Sequence, residues 1–222
     1  MIKFLRNYWY YLTSVVFLVL AFYTGFWRVD RLTRVEVILM YSFMALLAHQ
    51  FEEYVFPGGA PTVLNVAFYG ETTNYDRFPG NKQNGLVVNL SAYPFYIAAI
   101  LLPDLIWLGL ATMYFGFFQT LGHGVFMNVR GKTLYNPGMA TAVLLHLPIG
   151  IYYIVYVTAH HTVGEGDYLY GFFGFAAATV LIVILPVQGL KDRNSPYPFS
   201  REELNGHLGM LEKYRANGVL AA

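Results

Sequence analysis

The residues best able to do chemistry in this chain stand together at His49-Gln50-Phe51-Glu52-Glu53. On a helix, His49, Glu52 and Glu53 occupy i, i+3 and i+4 and share one face. An imidazole and two carboxylates aimed at one point can hold a divalent cation, or run acid–base chemistry without one. The chain has no cysteine, so metal ligands would come from His, Asp, Glu or Asn. That nitrogen and oxygen set suits zinc, iron or manganese. Such an ion acidifies water and polarises a carbonyl or phosphoryl group, and a spare carboxylate serves as general base. His49, Glu52 and His123 are therefore the candidate metal ligands, and Glu53 and Glu52 the candidate catalytic groups. Asn89, His146 and Tyr135 are candidates for substrate contact or for support of the ligands.

The elements that carry these residues follow from composition. Of 222 residues, 56% are hydrophobic, 18% aromatic and only 12% charged. Soluble domains carry about 25% charged residues. A net charge of +1 argues against a basic nucleic-acid surface, and the apolar content against disorder. The bilayer is the expected solvent. Six segments bring the run of about 20 apolar residues that a transmembrane helix needs. They are Tyr8–Trp27, Val35–Tyr54, Leu86–Leu102, Leu105–Asn128, Gly138–Thr158 and Tyr168–Leu190. The expected fold is an all-α polytopic bundle, with residues 1–193 forming one transmembrane domain.

Orientation follows from Lys and Arg. Eleven of the fourteen lie on the side of the N-terminus and three on the other, which puts both termini in the cytoplasm. The bacterial inner membrane is the expected location. In this topology His49 and His123 each lie roughly 8 Å inside the cytoplasmic ends of their spans, and His146 roughly 12 Å. Asn89 is near the same level. His160 and His161 fall at the opposite end. A buried ionisable residue in a span is costly and marks function.

The prolines Pro94 and Pro148 leave the carbonyls of Leu90 and Leu144 without intrahelical donors. Kinks there either adjust packing or admit water or a substrate hydroxyl. Tyr135-Asn136-Pro137-Gly138 reads as a turn and helix start. Residues 55–85 form the one long connection, a lid or a plain surface loop, with an interfacial or re-entrant helix over Thr62–Tyr69. The tail, 194–222, opens with a proline-broken linker. Ser200 and Glu203 then form a capping box ahead of an apolar stripe of Leu204, Leu208, Leu211 and Tyr214, which predicts one short amphipathic helix.

At His49-Gln50-Phe51-Glu52-Glu53 the chain resembles the HXXEE-motif family of multi-pass membrane proteins. Asn89, His123 and Tyr135-Asn136-Pro137-Gly138 extend the likeness over roughly residues 30–160. The function of that family is not established. The resemblance implies an enzyme that uses His49, Glu52, Glu53 and His123. Adjacent glutamates also resemble those of intramembrane CAAX-type proteases, but that pattern needs Arg where this chain has Pro57.

The expectation is a membrane enzyme performing hydrolysis or other metal-assisted chemistry on a lipid-soluble substrate in the cytoplasmic half of the bundle. Two alternatives stay open. One is a small transporter or proton and cation conductor reaching toward His146, His160 and His161. The other is a structural subunit or assembly factor. The expected partners are the bilayer, a lipid-soluble small molecule, and a homo-oligomer or larger membrane complex.

Overall fold

A computed structural model describes residues 2–28 and 30–221, and among these it contains helices and no strands. Six long helices occupy the six apolar segments. They are α1 (Ile2–Trp27), α2 (Arg34–Tyr54), α4 (Lys82–Leu101), α5 (106–131), α6 (Met139–Ala159) and α7 (Asp167–Leu190). A short helix, α3 (60–68), lies between α2 and α4. Two more, α8 (Arg201–Asn205) and α9 (Met210–Ala216), end the chain.

Local chemistry sets several boundaries. Thr33 accepts from the Glu36 backbone N–H, and the Glu36 carboxylate accepts from Thr33 N–H at 2.7 Å, so α2 starts with a capping box. Asn81 accepts from the N–H groups of Gln83 and Asn84 and starts α4. Four of the long helices contain a π-turn: in α1 it is the last turn, Tyr23–Trp27, and in α5, α6 and α7 it lies within the helix. In α6 and α7 these turns, Ala142–His146 and Thr179–Ile184, end two residues before Pro148 and Pro186. A proline ring clashes with the carbonyl four residues back, and one extra residue in the turn relieves it. In α5 the turn Gly122–Phe126 is flanked by no proline; Gly122 and Gly124 bracket His123 there and weaken the regular helix.

Four helices, α1, α4, α6 and α7, are long and apolar enough to cross a membrane by length and composition. Four such helices are the signature of an integral membrane protein. Their most apolar windows are only 17% to 28% buried within the chain. Leu12, Val15, Leu18 and Val19 on α1, and Phe172, Phe173, Leu181 and Ile184 on α7, are exposed. The other two, α2 and α5, are less apolar and more enclosed. Ile38, Leu39, Leu46 and Leu47 of α2 and Leu110, Ala111 and Met113 of α5 are fully or nearly fully buried. Helices screened from lipid by their neighbours tolerate polar residues, and these two carry His49, Glu52, Glu53 and His123.

The core is stacked in three layers. Leu39, Leu110, Met113, Tyr153 and Val157 fill one end, and Phe43, Leu47, Tyr96, Phe115 and Ile182 the middle. The third layer caps the other end. There α3 packs with the tail through Val63, Val66, Phe199, Leu204, Met210 and Tyr214. The N-terminus joins this end, where Arg6 Nε donates to Gln83 Oε1 and its guanidinium lies 3.7 Å over the Tyr197 ring.

The tail differs from the single amphipathic helix that its apolar stripe predicts. It is broken into α8 and α9 by Gly206 (φ 55) and Gly209 (φ 64). Gly206 lies so close to the backbone of Pro57 and Gly58 that a Cβ would overlap it. Close docking onto the 55–81 connection, not helix continuity, sets the path. Leu204, Leu211 and Tyr214 are nevertheless all buried, as the stripe requires.

Candidate functional site

The last turns of α2 carry His49 and Glu53 on one face. The π-turn of α5 swings His123 toward them. Nε2 of His49 is 3.7 Å and Nε2 of His123 is 3.4 Å from Glu53 Oε1. Ligand atoms of all three lie within 4.8 Å of one another, a group that could hold a metal ion. The two imidazoles meet edge to face with centroids 4.8 Å apart. His49 and His123 are 1% and 2% exposed.

The far side of each ring is held by a hydrogen bond. His123 Nδ1 lies 2.7 Å from Asn136 Oδ1. The Asn136 amide N–H groups are used on His123 O and Asn128 Oδ1, so its oxygen faces the ring and accepts from Nδ1–H. His49 Nδ1 lies 3.0 Å from Thr141 Oγ1. The Thr141 hydroxyl donates to Glu52 Oε2, so its oxygen accepts from His49 Nδ1–H. In the neutral Nδ1–H tautomer each imidazole turns an Nε2 lone pair toward Glu53, and with Nε2 protonated as well it pairs with that carboxylate. His49 Nε2 has no hydrogen-bond partner.

Glu52 points elsewhere. Its carboxylate accepts from the Tyr135 hydroxyl, the Ala140 and Thr141 backbone N–H groups and the Thr141 hydroxyl. These four donors come from the turn before α6 and its first residues. Of the two glutamates, it is thus Glu53 that stands beside the imidazoles, while Glu52, expected among the ligands, braces Thr141 behind His49. Burial and the facing Glu52 carboxylate raise the Tyr135 hydroxyl well above the ordinary phenol range.

Gly138 completes the enclosure. Its φ is 102, and a Cβ there would come within 2.5 Å of His123 Cε1 and 2.9 Å of His49 Cε1. Only glycine accepts that backbone beside two rings. His146, on the α6 π-turn, sets its ring 5.5 Å from that of His49, and its Nε2 is unpartnered. It lies behind the three-residue group and is not part of it. The Asn89 side-chain amide donates to Gly85 O at 2.8 Å, and its backbone carbonyl accepts from Gln50 Nε2. It lines the adjoining cavity. His160 and His161 are exposed at the opposite end.

That cavity has a volume of about 490 Å³. His49, Glu53 and His123 form part of its wall. The rest comes from α3, α4, α5, α7 and Phe199 of the tail. The connection 55–81 closes one side, pinned by Asn65, which donates to the carbonyls of Tyr75 and Gly80 and accepts from Gly80 N–H.

Asn136 and Thr141 are the ring-holding positions that sequence reading does not single out. Their signal was slight: a polar pair around Pro137-Gly138, about ninety residues from His49.

The family described as "protein of unknown function with HXXEE motif" matches residues 40–153. This is half of the chain, and it contains every residue of the cluster. The chain belongs to that family. Comparison with curated proteins and with solved structures gives no match.

Proposed function

We propose that this HXXEE-family protein is a six-span integral-membrane enzyme that holds one divalent cation, zinc, iron or manganese, between His49 Nε2, His123 Nε2 and Glu53 Oε1. Its reaction is hydrolysis, or a related metal-assisted conversion, of a lipid-soluble substrate. The bundle has both termini in the cytoplasm, with the bacterial inner membrane as its location.

One observation carries the reading. In the Nδ1–H tautomer two buried Nε2 lone pairs and a carboxylate oxygen face one another. Like partial charges at 3.4 and 3.7 Å repel unless a positive charge lies among them. Donors of a tetrahedral site with bonds of about 2.1 Å stand about 3.4 Å apart, close to the 3.4 and 3.7 Å between Glu53 and the two rings. The bonds on the outer nitrogens are the kind that orient ligand histidines and fix their tautomer.

A divalent cation supplies Lewis acidity there, acidifying water and polarising a carbonyl or phosphoryl oxygen. The protein's own groups do the rest. Asn136 and Thr141 aim the imidazoles, Glu52 and Tyr135 fix Thr141, and Glu53 keeps its second oxygen available to take a proton from a nucleophile. The apolar cavity excludes bulk water and gives a lipid-soluble substrate access to the cluster.

The transporter alternative needs a polar path along α6 from His146 to His160. The residues between them include Tyr153 and Val157, both fully buried in the apolar layer with Leu39 and Leu110.

Elemental analysis of detergent-purified protein tests the proposal. The expected result is close to one equivalent of a single transition metal, lost in His49→Ala and His123→Ala. Wild-type protein without stoichiometric metal would refute it.

A further inference from the structure

The flanks of the cavity beside the cluster differ in how they are closed. Toward the tail, the wall residues Ala60, Val63, Asn81 and Phe199 are all buried. They lie beneath backbone bonds from Phe199 N–H to Asp76 O and from Lys82 N–H to Tyr197 O. The exposed members of the wall, among the described residues, are Phe118 on α5 and Ile184 and Gln188 on α7. Phe118 is 38% and Ile184 45% exposed. Gln119 and Val183 stand beside them, half-buried, in the same wall. Gln119 is four residues, roughly one turn, before His123 on α5.

The path of α7 explains the gap on that flank. Its first half lies on α5, where Gly171 and Gly174 allow close approach to Trp107, Leu110 and Ala111. After the π-turn Thr179–Ile184 its second half lies on α4. Asn84 Nδ2 holds it there through Val187 O at 3.4 Å, and Asn81 Nδ2 through Leu190 O at 3.0 Å. A helix that changes partner halfway parts from the first one. The surface around the parting is apolar: Leu121 and Val125 of α5 and Val180, Leu181 and Leu185 of α7 are exposed. In a bilayer such a surface meets hydrocarbon chains, not water. Gln188 marks the lip nearest the tail, where its Oε1 accepts from Lys191 Nζ, so a polar head has partners outside while a chain passes inward. Inside, Glu53 keeps 16% side-chain exposure while both rings of the cluster are buried. The volume of about 490 Å³ falls within the range of about 300–1,000 Å³ that takes one small ligand.

We infer that the gap between α5 and α7 is a lateral portal, through which a hydrocarbon chain of a lipid in the surrounding leaflet enters the cavity and reaches Glu53. The inference deepens the reading above and rests on its placement of the bundle in a membrane, but not on the metal.

The chain has no cysteine, so a single introduced thiol can be capped selectively and used as a plug. The full chain is reconstituted in phosphatidylcholine vesicles doped with a phosphatidylcholine whose acyl chain carries a diazirine. After irradiation, peptide mass spectrometry locates the adducts. Wild type should carry them on the wall residues Glu53 or Val88. Phe118→Cys and Ile184→Cys, each capped with N-pyrenylmaleimide in detergent before reconstitution, should lose nearly all of these adducts, and the same variants left uncapped should keep them. The uncapped sample controls for folding. Val19→Cys, capped in the same way, should also keep them, because Val19 is exposed on α1 and that helix forms no part of the wall. Absence of wall adducts in wild type, adducts that survive both plugs, or an equal loss on capping Val19→Cys overturns the inference. Elemental analysis of the same samples separates the two readings. Stoichiometric metal with labelling that ignores the plugs sinks the portal alone. Labelling that the plugs abolish, in protein without metal, sinks the metal reading alone.

Discussion

Glu52 and Glu53 are consecutive residues, yet they look into two differently furnished hollows. A step of one residue turns the helix by about 100°. In one direction lies the N-terminal turn of α6, where free backbone N–H groups and the helix dipole favour a carboxylate. Glu52 takes that place and its acceptor sites are filled by four donors. In the other direction lies the π-turn of α5, and Glu53 meets the Nε2 atoms of two imidazoles. A satisfied carboxylate braces the fold around it. An unsatisfied one in a buried cluster is free to take a ligand or a proton. The contrast assigns different roles to residues that the motif presents as a matched pair.

The strongest challenge to this contrast is charge removal at each position. Glu53→Gln should abolish stoichiometric metal, while Glu52→Gln should retain most of it and lose stability, by about 1–3 kcal/mol, because its amide would face donors. Elemental analysis and thermal melts read both; the reverse pattern would exchange their roles. Next is the shared wall of the two hollows. Gly138→Ala sets a methyl against both rings at a left-handed φ, and should lose metal along with roughly 2 kcal/mol of stability. A variant with wild-type melting and full metal content would show that the rings are not wedged there.

Smaller effects come from the bonds behind the rings. Asn136→Leu and Thr141→Val release the His123 and His49 tautomers, and each should weaken metal affinity about 10- to 100-fold. Thr141→Ser, which keeps the hydroxyl, should restore it; failure of that rescue would assign the loss to packing. The least effect is expected at Tyr135. Tyr135→Phe removes one of the four donors to Glu52 and should change metal affinity by only a few fold. Because the Tyr135 hydroxyl titrates well above the usual phenol range, it stays protonated and donating as pH rises from 7 to about 10. Metal retention over that interval should therefore be flat in wild type, and a drop absent from Tyr135→Phe would contradict the assignment.

Much of this arrangement was legible in the chain. Each apolar run of membrane length became a helix, because few alternatives satisfy so many apolar residues in succession. His49 and Glu53 were legible as a pair, since i and i+4 meet on any helix. Which glutamate would turn toward His123 was not. Positions i+3 and i+4 flank the same face, and the choice depends on what α5 and α6 present from far along the chain. The roles of Asn136 and Thr141 were hidden for the same reason. The break at Gly206 was obscured by a stripe that suits a continuous helix, although glycine in that stripe was a warning. Three of the π-turns had visible causes, Pro148 and Pro186 in two helices and paired glycines around His123 in a third, but a proline alone does not say whether a helix bends or widens.

The cap over the cavity is stitched from both halves of the sequence. Thr62 Oγ1 donates to Leu204 O, Phe199 N–H to Asp76 O, and His207 N–H to Pro57 O. Phe199 is itself part of the wall. All six long helices leave the ribosome before the segment that closes the chamber does. The pocket is therefore finished only after all six long helices are made, and a nascent chain halted after α7 would carry both histidines and both glutamates around a chamber still missing one side.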